Sequence, residues 1–195
     1  MAAMTIRKEK LMAAWGALTA NRLVIPLVAL LAAAEAHAQT YKELGSGWTI
    51  TTRDDGCYAS AAYGGDKLFM VNYFPREESV RLTMVHPDAT SLKDGAVVEL
   101  YVKFVVGRSI DRGWGQKKFD VGVLEGGDRY ITSSFEAYDM LRDIARADTV
   151  AFTLDEDANR IIAAFDLSGT STMVKVLREC SLKVVGLNPK DPFLR

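Results

Sequence analysis

The chain has 195 residues, with 24 Lys or Arg against 25 Asp or Glu and a net charge of −1 at neutral pH. That length accommodates one domain with a short appendage. A balanced charge without a basic block excludes nucleic acid as a partner, because neutralising phosphates needs clustered cations.

The appendage is N-terminal. Arg7, Lys8, Lys10 and Arg22 form a cationic region, Leu23–Ala34 is an uncharged apolar run, and Ala36-His37-Ala38 has the small-x-small pattern of a signal-peptidase site. We expect residues 1–38 to be a cleavable signal peptide, cut before Gln39. The competing reading, an uncleaved anchor, needs about 20 apolar residues, and Asn21 and Arg22 interrupt the run well short of that. No Arg-Arg pair and no cysteine at the cut point mark a twin-arginine or lipid-anchored route. Cleavage removes four basic residues and two acidic ones, Glu9 and Glu35, leaving 20 and 23 and a net charge near −3.

From Gln39 to Gly47 the chain reads as a polar lead-in, with Gly45-Ser46-Gly47 as a flexible stretch. Trp48–Arg53 is rich in β-formers, and Asp54-Asp55-Gly56 is a turn. Cys57–Tyr63 and Lys67–Phe74 form a hairpin around Gly64-Gly65-Asp66. Pro75 and Arg76–Glu78 end it. Val80, Leu82 and Met84 alternate with Arg81, Thr83 and Val85, the periodicity of a half-buried strand that stops at His86-Pro87-Asp88. After a short loop at 89–95, Ala96–Val106 is predicted as a long central strand, and 107–118 as a glycine-rich loop.

Phe119, Val121 and Val123 resume the alternation, a turn follows at Glu125–Asp128, and Arg129–Ser133 is a short strand. The period then changes. Ala137, Leu141, Ile144 and Ala145 share one helical face over Ser134–Ala147, with Ser134 as the expected N-cap. Thr149–Leu154 and Arg160–Leu167 read as a hairpin around Asp155–Asn159. Met173, Val176, Leu177 and Cys180 mark a helix over Thr170–Cys180. A last strand, Leu182–Leu187, and a flexible tail, Asn188–Arg195, complete the chain. About eight to ten strands and two short helices predict a mainly β fold, an antiparallel sandwich or barrel forming a single domain over 48–187. Glu99 and Lys103 share one parity of the best strand, which excludes the unbroken lipid-facing band of a membrane barrel.

Two cysteines, Cys57 and Cys180, remain after cleavage. In an oxidising compartment an even pair defaults to a disulfide, against free thiols or a metal site, and His86 alone at no ligand-like spacing does not make a zinc site. Such a bridge would close a very long loop and contribute up to ~5 kcal/mol.

The layout from Trp48 to Cys180 resembles the invasion-associated locus B family of small exported alphaproteobacterial proteins. The resemblance is carried by Gly47-Trp48 at the opening, by Cys57-Tyr58, and by the strand–glycine–helix–cysteine segment Phe165–Cys180 with Gly169 inside it. Many members carry a further cysteine beside the first tryptophan, where this chain has Trp48-Thr49-Ile50. The resemblance implies export, a β-rich fold, the Cys57–Cys180 pairing and a host-contact role, and it implies no catalytic residue.

Nucleophilic catalysis needs a base beside the nucleophile. His86, in His86-Pro87-Asp88, reads as a solvated turn histidine, and no nucleophile elbow is present. Asp155, Asp157, Asn159 and Asp166 mimic calcium-loop spacing, but Arg160 stands where that loop needs glycine, so an acidic hairpin turn is expected. No spacing selects a carboxylate pair for glycoside hydrolysis. No catalytic residue, metal or cofactor is expected.

The segment chosen for binding is the 107–118 loop, with Trp114, Arg108, Arg112, Lys117 and Lys118, since Trp and Arg on loops dominate binding hot spots. The plainer alternative is that Trp114 folds back to cap the core. The sequence therefore reads as a periplasmic or secreted, non-enzymatic binding or host- and envelope-interaction domain. Its partner is a protein or a small molecule. It has no nucleic acid partner and no stable membrane span after cleavage. The alternatives are an exported hydrolase or a small-ligand-binding β-barrel.

Overall fold

In the computed structural model, residues 39–124 and 126–188 are described. The expected signal peptide and most of the expected tail lie outside them. Ten strands and two α-helices follow in chain order: β1 (Gln39–Glu43), β2 (Trp48–Arg53), β3 (Gly56–Tyr63), β4 (Lys67–Phe74), β5 (Ser79–Val85), β6 (Val97–Val106), β7 (Ser109–Val123), β8 (Arg129–Glu136), α1 (Ala137–Arg146), β9 (Thr149–Thr153), β10 (Ile161–Asp166) and α2 (Thr170–Val184). The described residues are mainly β with two helices, as the patterning predicts.

The strands form one sheet in the order β1-β2-β3-β4-β5-β8-β7-β6-β9-β10, and every neighbouring pair is antiparallel. Alternation sends Phe69, Val71, Leu82, Met84, Phe104 and Phe119 to one face, and all are buried. The sheet folds over so that this face meets itself. Phe69 of β4 stacks on Phe165 of β10 at 4.9 Å between ring centroids, and Phe119 of β7 meets Phe152 of β9 edge-on at 5.8 Å. Trp48 packs edge-on against Phe69 at 6.2 Å. Each such ring pair adds ~0.5–1.5 kcal/mol beyond the area it buries.

Cys57 of β3 and Cys180 of α2 are bonded, with Cα atoms 6.0 Å apart and a sequence separation of 123. Beside the bridge, the buried Ser181 Oγ accepts from the Cys57 N–H at 3.0 Å. These two links seat α2 on the sheet, and Thr170 Oγ1 donates to the Ile144 carbonyl at 2.7 Å to join α2 to α1. Gly169 opens α2 with φ +81°, and a Cβ there would overlap Ser46 in the β1–β2 turn. Only glycine meets both conditions.

Four elements depart from the sequence reading. The polar lead-in contains β1, an edge strand whose five side chains are all exposed, so it lacks the half-buried alternation that marks a strand. The 107–118 loop is instead the first half of β7, paired with β6 from Ser109 onward, and only Gly107 and Arg108 turn the chain. Its glycines suit the pairing: Gly113 lies opposite Lys103, and a Cβ there would stand 3.0 Å from Lys103 Nζ. The strand before α1 runs on to Glu136 because β5 pairs with it that far, so Glu136 rather than Ser134 is the N-cap, accepting from the N–H groups of Tyr138 and Asp139 at 2.9 and 3.0 Å. The expected last strand does not form. Leu182 and Val184 continue α2, which ends where Gly186 takes φ +75° and the Leu187 N–H bonds the Leu182 carbonyl.

Candidate functional site

Of the five residues singled out for binding, the structure joins two to α1. Arg112 and Trp114 lie on alternate positions of β7, side chains toward the helix. Trp114 Nε1 donates to Asp143 Oδ2 at 2.9 Å, and its ring meets Phe135 edge-on at 5.5 Å. Arg112 reaches Asp143 Oδ2 at 3.2 Å and Asp139 Oδ2 at 3.1 Å, with its guanidinium 5.5 Å from the centroid of the Trp114 ring. Arg142 closes the group on Asp139 at 2.7 Å. Asp143 is 5% exposed, so a carboxylate taken out of water is matched there by two guanidinium groups and an indole N–H. The cluster clasps the β6–β7 hairpin to α1. Arg108 at the hairpin tip and Lys117 and Lys118 along the strand are exposed and stand apart from it.

His86 is not solvated. It is 6% exposed and directly follows β5, where the turn at Pro87–Ser91 folds back, with the Ala89 N–H bonding the His86 carbonyl at 2.9 Å. The residue forms part of the wall of an apolar mouth of about 370 Å³. Val98 and Leu100 of β6, Ile131 of β8, Leu154 after β9, and Ile161 and Ile162 of β10 supply its lining. Pockets of this size with apolar walls and few polar groups are where small ligands and anchoring side chains bind. Three of its lining residues are exposed at the rim: Ile161 (58%), Leu154 (38%) and Ile162 (37%).

The expected acidic turn connects two residues of this lining, Leu154 and Ile161. Asp155 Oδ1 accepts the Asn159 N–H at 2.8 Å, and the Thr153 hydroxyl donates to the Asp155 carbonyl at 2.7 Å. These bonds make a self-contained hairpin turn, in which Glu156 and Asp157 are exposed. Asp166 is elsewhere, and hydrogen bonds from the Ser168 hydroxyl and from the Ser168 N–H, the latter at 2.7 Å, hold its carboxyl below the usual range. Among the described residues no three His, Cys, Asp or Glu side chains converge as a metal would require. A smaller cavity, about 260 Å³, lies between α1 and α2 beside Tyr73, Arg142 and Arg178. Burial raises the Tyr73 hydroxyl pKa, with Arg178 opposing.

The sequence reading missed the mouth, whose lining comes from β6, β8, β10 and two turns. The one local signal was the adjacent pair Ile161-Ile162, which breaks strand alternation with two apolar residues in a row.

The architecture defines a class: a ten-stranded antiparallel β-body covered by two helices and closed by one disulfide. No family model matches the chain, and no curated protein sequence does. A solved structure described as the crystal structure of invasion associated protein b from Bartonella henselae is similar with a TM-score of 0.47 and 10% identity, over 69% of this chain and 94% of that one. No residue role is carried over from it.

Proposed function

We propose that this chain is an exported, non-enzymatic binding domain that holds an apolar group of its ligand in the mouth between β6, β8 and β10. The observation that carries the reading is the apolar wall continuing onto a rim where Leu154, Ile161 and Ile162 stand in water. Exposed aliphatic side chains around a concavity mark an interaction site rather than ordinary surface. Export is supported by the N-terminal residues and by the buried disulfide, a bond that persists in oxidising compartments. No helix among the described residues is long and apolar enough to cross a membrane. The host- or envelope-contact role implied by the sequence resemblance is the narrower form of this reading.

The test is binding of an environment-sensitive naphthalene sulfonate dye to the folded protein. The expected result is a saturable fluorescence gain that Leu154→Glu and Ile161→Glu each abolish without lowering the melting temperature. A dye signal unchanged by both variants overturns the reading.

A second reading keeps the β6–β7 hairpin as a contact surface. It is favoured by the exposed cations Arg108, Lys117 and Lys118 on the hairpin that Arg112 and Trp114 anchor to α1. Charge reversal at Lys117 and Lys118 tests it: unchanged partner capture sinks it.

A further inference from the structure

The sheet has two free edges, and they differ. β1 carries Lys42 and Glu43, is exposed at every position and is bulged between Thr40 and Lys42. Charges and bulges are the usual devices that keep an edge from pairing. β10 reads Ile161-Ile162-Ala163-Ala164-Phe165, without a charge or a proline before Asp166, and its one bulge lies at its start, between Ile161 and Ala163.

The direction of its backbone groups follows from two bonds. The Leu167 N–H bonds the Asp148 carbonyl at 2.8 Å, so residues of that parity, Phe165 and Ala163, face β9. The Asp166 carbonyl faces the other way and accepts from the Tyr63 hydroxyl. Ala164, two residues earlier, therefore turns both its N–H and its C=O outward from the sheet. The mouth opens beside this stretch, through Ile161 and Ile162. The turn that joins Leu154 to Ile161 carries Asp155, Glu156 and Asp157 against the single cation Arg160.

We propose that the β10 edge and the mouth together take an extended segment of a partner protein, which pairs with Ala164, seats an apolar side chain in the mouth and sets a Lys or Arg against the acidic turn. This rests on the mouth reading and narrows the ligand to a polypeptide strand. Strand addition draws its affinity from backbone bonds and its selectivity from pockets for alternate side chains, and both are present here side by side. The excess negative charge of the turn selects a cationic flank.

The probe is a synthetic acetylated heptapeptide, Lys-Val-Thr-Val-Thr-Val-Lys, titrated into the full oxidised chain and followed by amide chemical shifts. Its counterpart with Glu at both ends and a version N-methylated at alternate residues are the controls. Binding is expected for the first peptide and at least about tenfold weaker for both controls, the loss that one or two backbone bonds or a charge contact produces. Ala164→Pro removes a donor that β9 does not use, so it should weaken the peptide about tenfold while leaving melting and dye binding intact. Equal peptide affinity in Ala164→Pro, or dye binding without any peptide binding, overturns the strand inference and leaves the mouth reading standing. A concentration-dependent dimer abolished by Ala164→Pro also overturns it, by making a second copy the occupant. Failure of the dye itself overturns the mouth reading.

Discussion

Trp114 Nε1 lies 2.9 Å from Oδ2 of Asp143, a hydrogen bond between a strand residue and a helix residue 29 positions apart in sequence. The same carboxylate oxygen takes Arg112 at 3.2 Å. Trp114→Ala should remove both the ring contact with Phe135 and the indole donor, and cost about 3 kcal/mol. Trp114→Phe keeps the ring and should cost only about 1–2 kcal/mol. Urea denaturation of the two variants separates the contributions: equal losses would show that the ring contact contributes nothing, and a Trp114→Phe variant as stable as the parent would show that the hydrogen bond contributes nothing.

The Cys57–Cys180 bridge is buried at both ends, at 3% and 0% exposure. A reductant should therefore reach it only through unfolding. We expect no thiol labelling of the native protein in mild reductant, and a loss of up to about 5 kcal/mol in Cys57→Ser/Cys180→Ser, measured from the denaturant midpoint. A fully stable reduced protein would contradict this.

The Tyr63 hydroxyl is pushed up to about 12, chiefly by burial and then by the Asp166 charge. The unfolded chain ionises this tyrosine near the ordinary value of 10.0, so the unfolded state loses the proton first. Stability contributed by the neutral phenol is thus full below pH 10 and falls as pH rises toward 12. Tyr63→Phe should be less stable at neutral pH, having lost the bond to Asp166, and should show a shallower decline above pH 10. Melting curves across that range check the slope.

Gly169→Ala should destabilise by about 2 kcal/mol or more, since it adds a left-handed backbone cost to an overlap with Ser46. Ser46→Gly in the same chain should recover the overlap and leave the backbone cost. Complete recovery would mean that the positive φ contributes nothing.

Much of the β-body was legible in the sequence because period-2 alternation survives where one face is buried. Trp48–Arg53 and Lys67–Phe74 coincide with β2 and β4, and the strand beginning at Val80 lies within β5. Legibility failed where another force replaced that alternation. β1 has no buried face, and the first half of β7 trades apolar residues for Arg112 and Trp114, whose burial depends on carboxylates of α1. His86 misled for a related reason: a histidine before a proline turn looks solvated until the turn folds over it. The mouth was unreadable because the sheet order sets β8 between β5 and β7, a neighbourhood that no local pattern encodes.

The bridge also divides the described chain as a load-bearing path would be divided. Traction on residues 39 and 188 would pass through the sulfur–sulfur bond, so only 39–56 and 181–188 could be drawn out, while everything between would carry no tension. A single oxidised molecule under an optical trap should lengthen by those two short arms alone, and release the interval between Cys57 and Cys180, a separation of 123, only after a reductant is admitted.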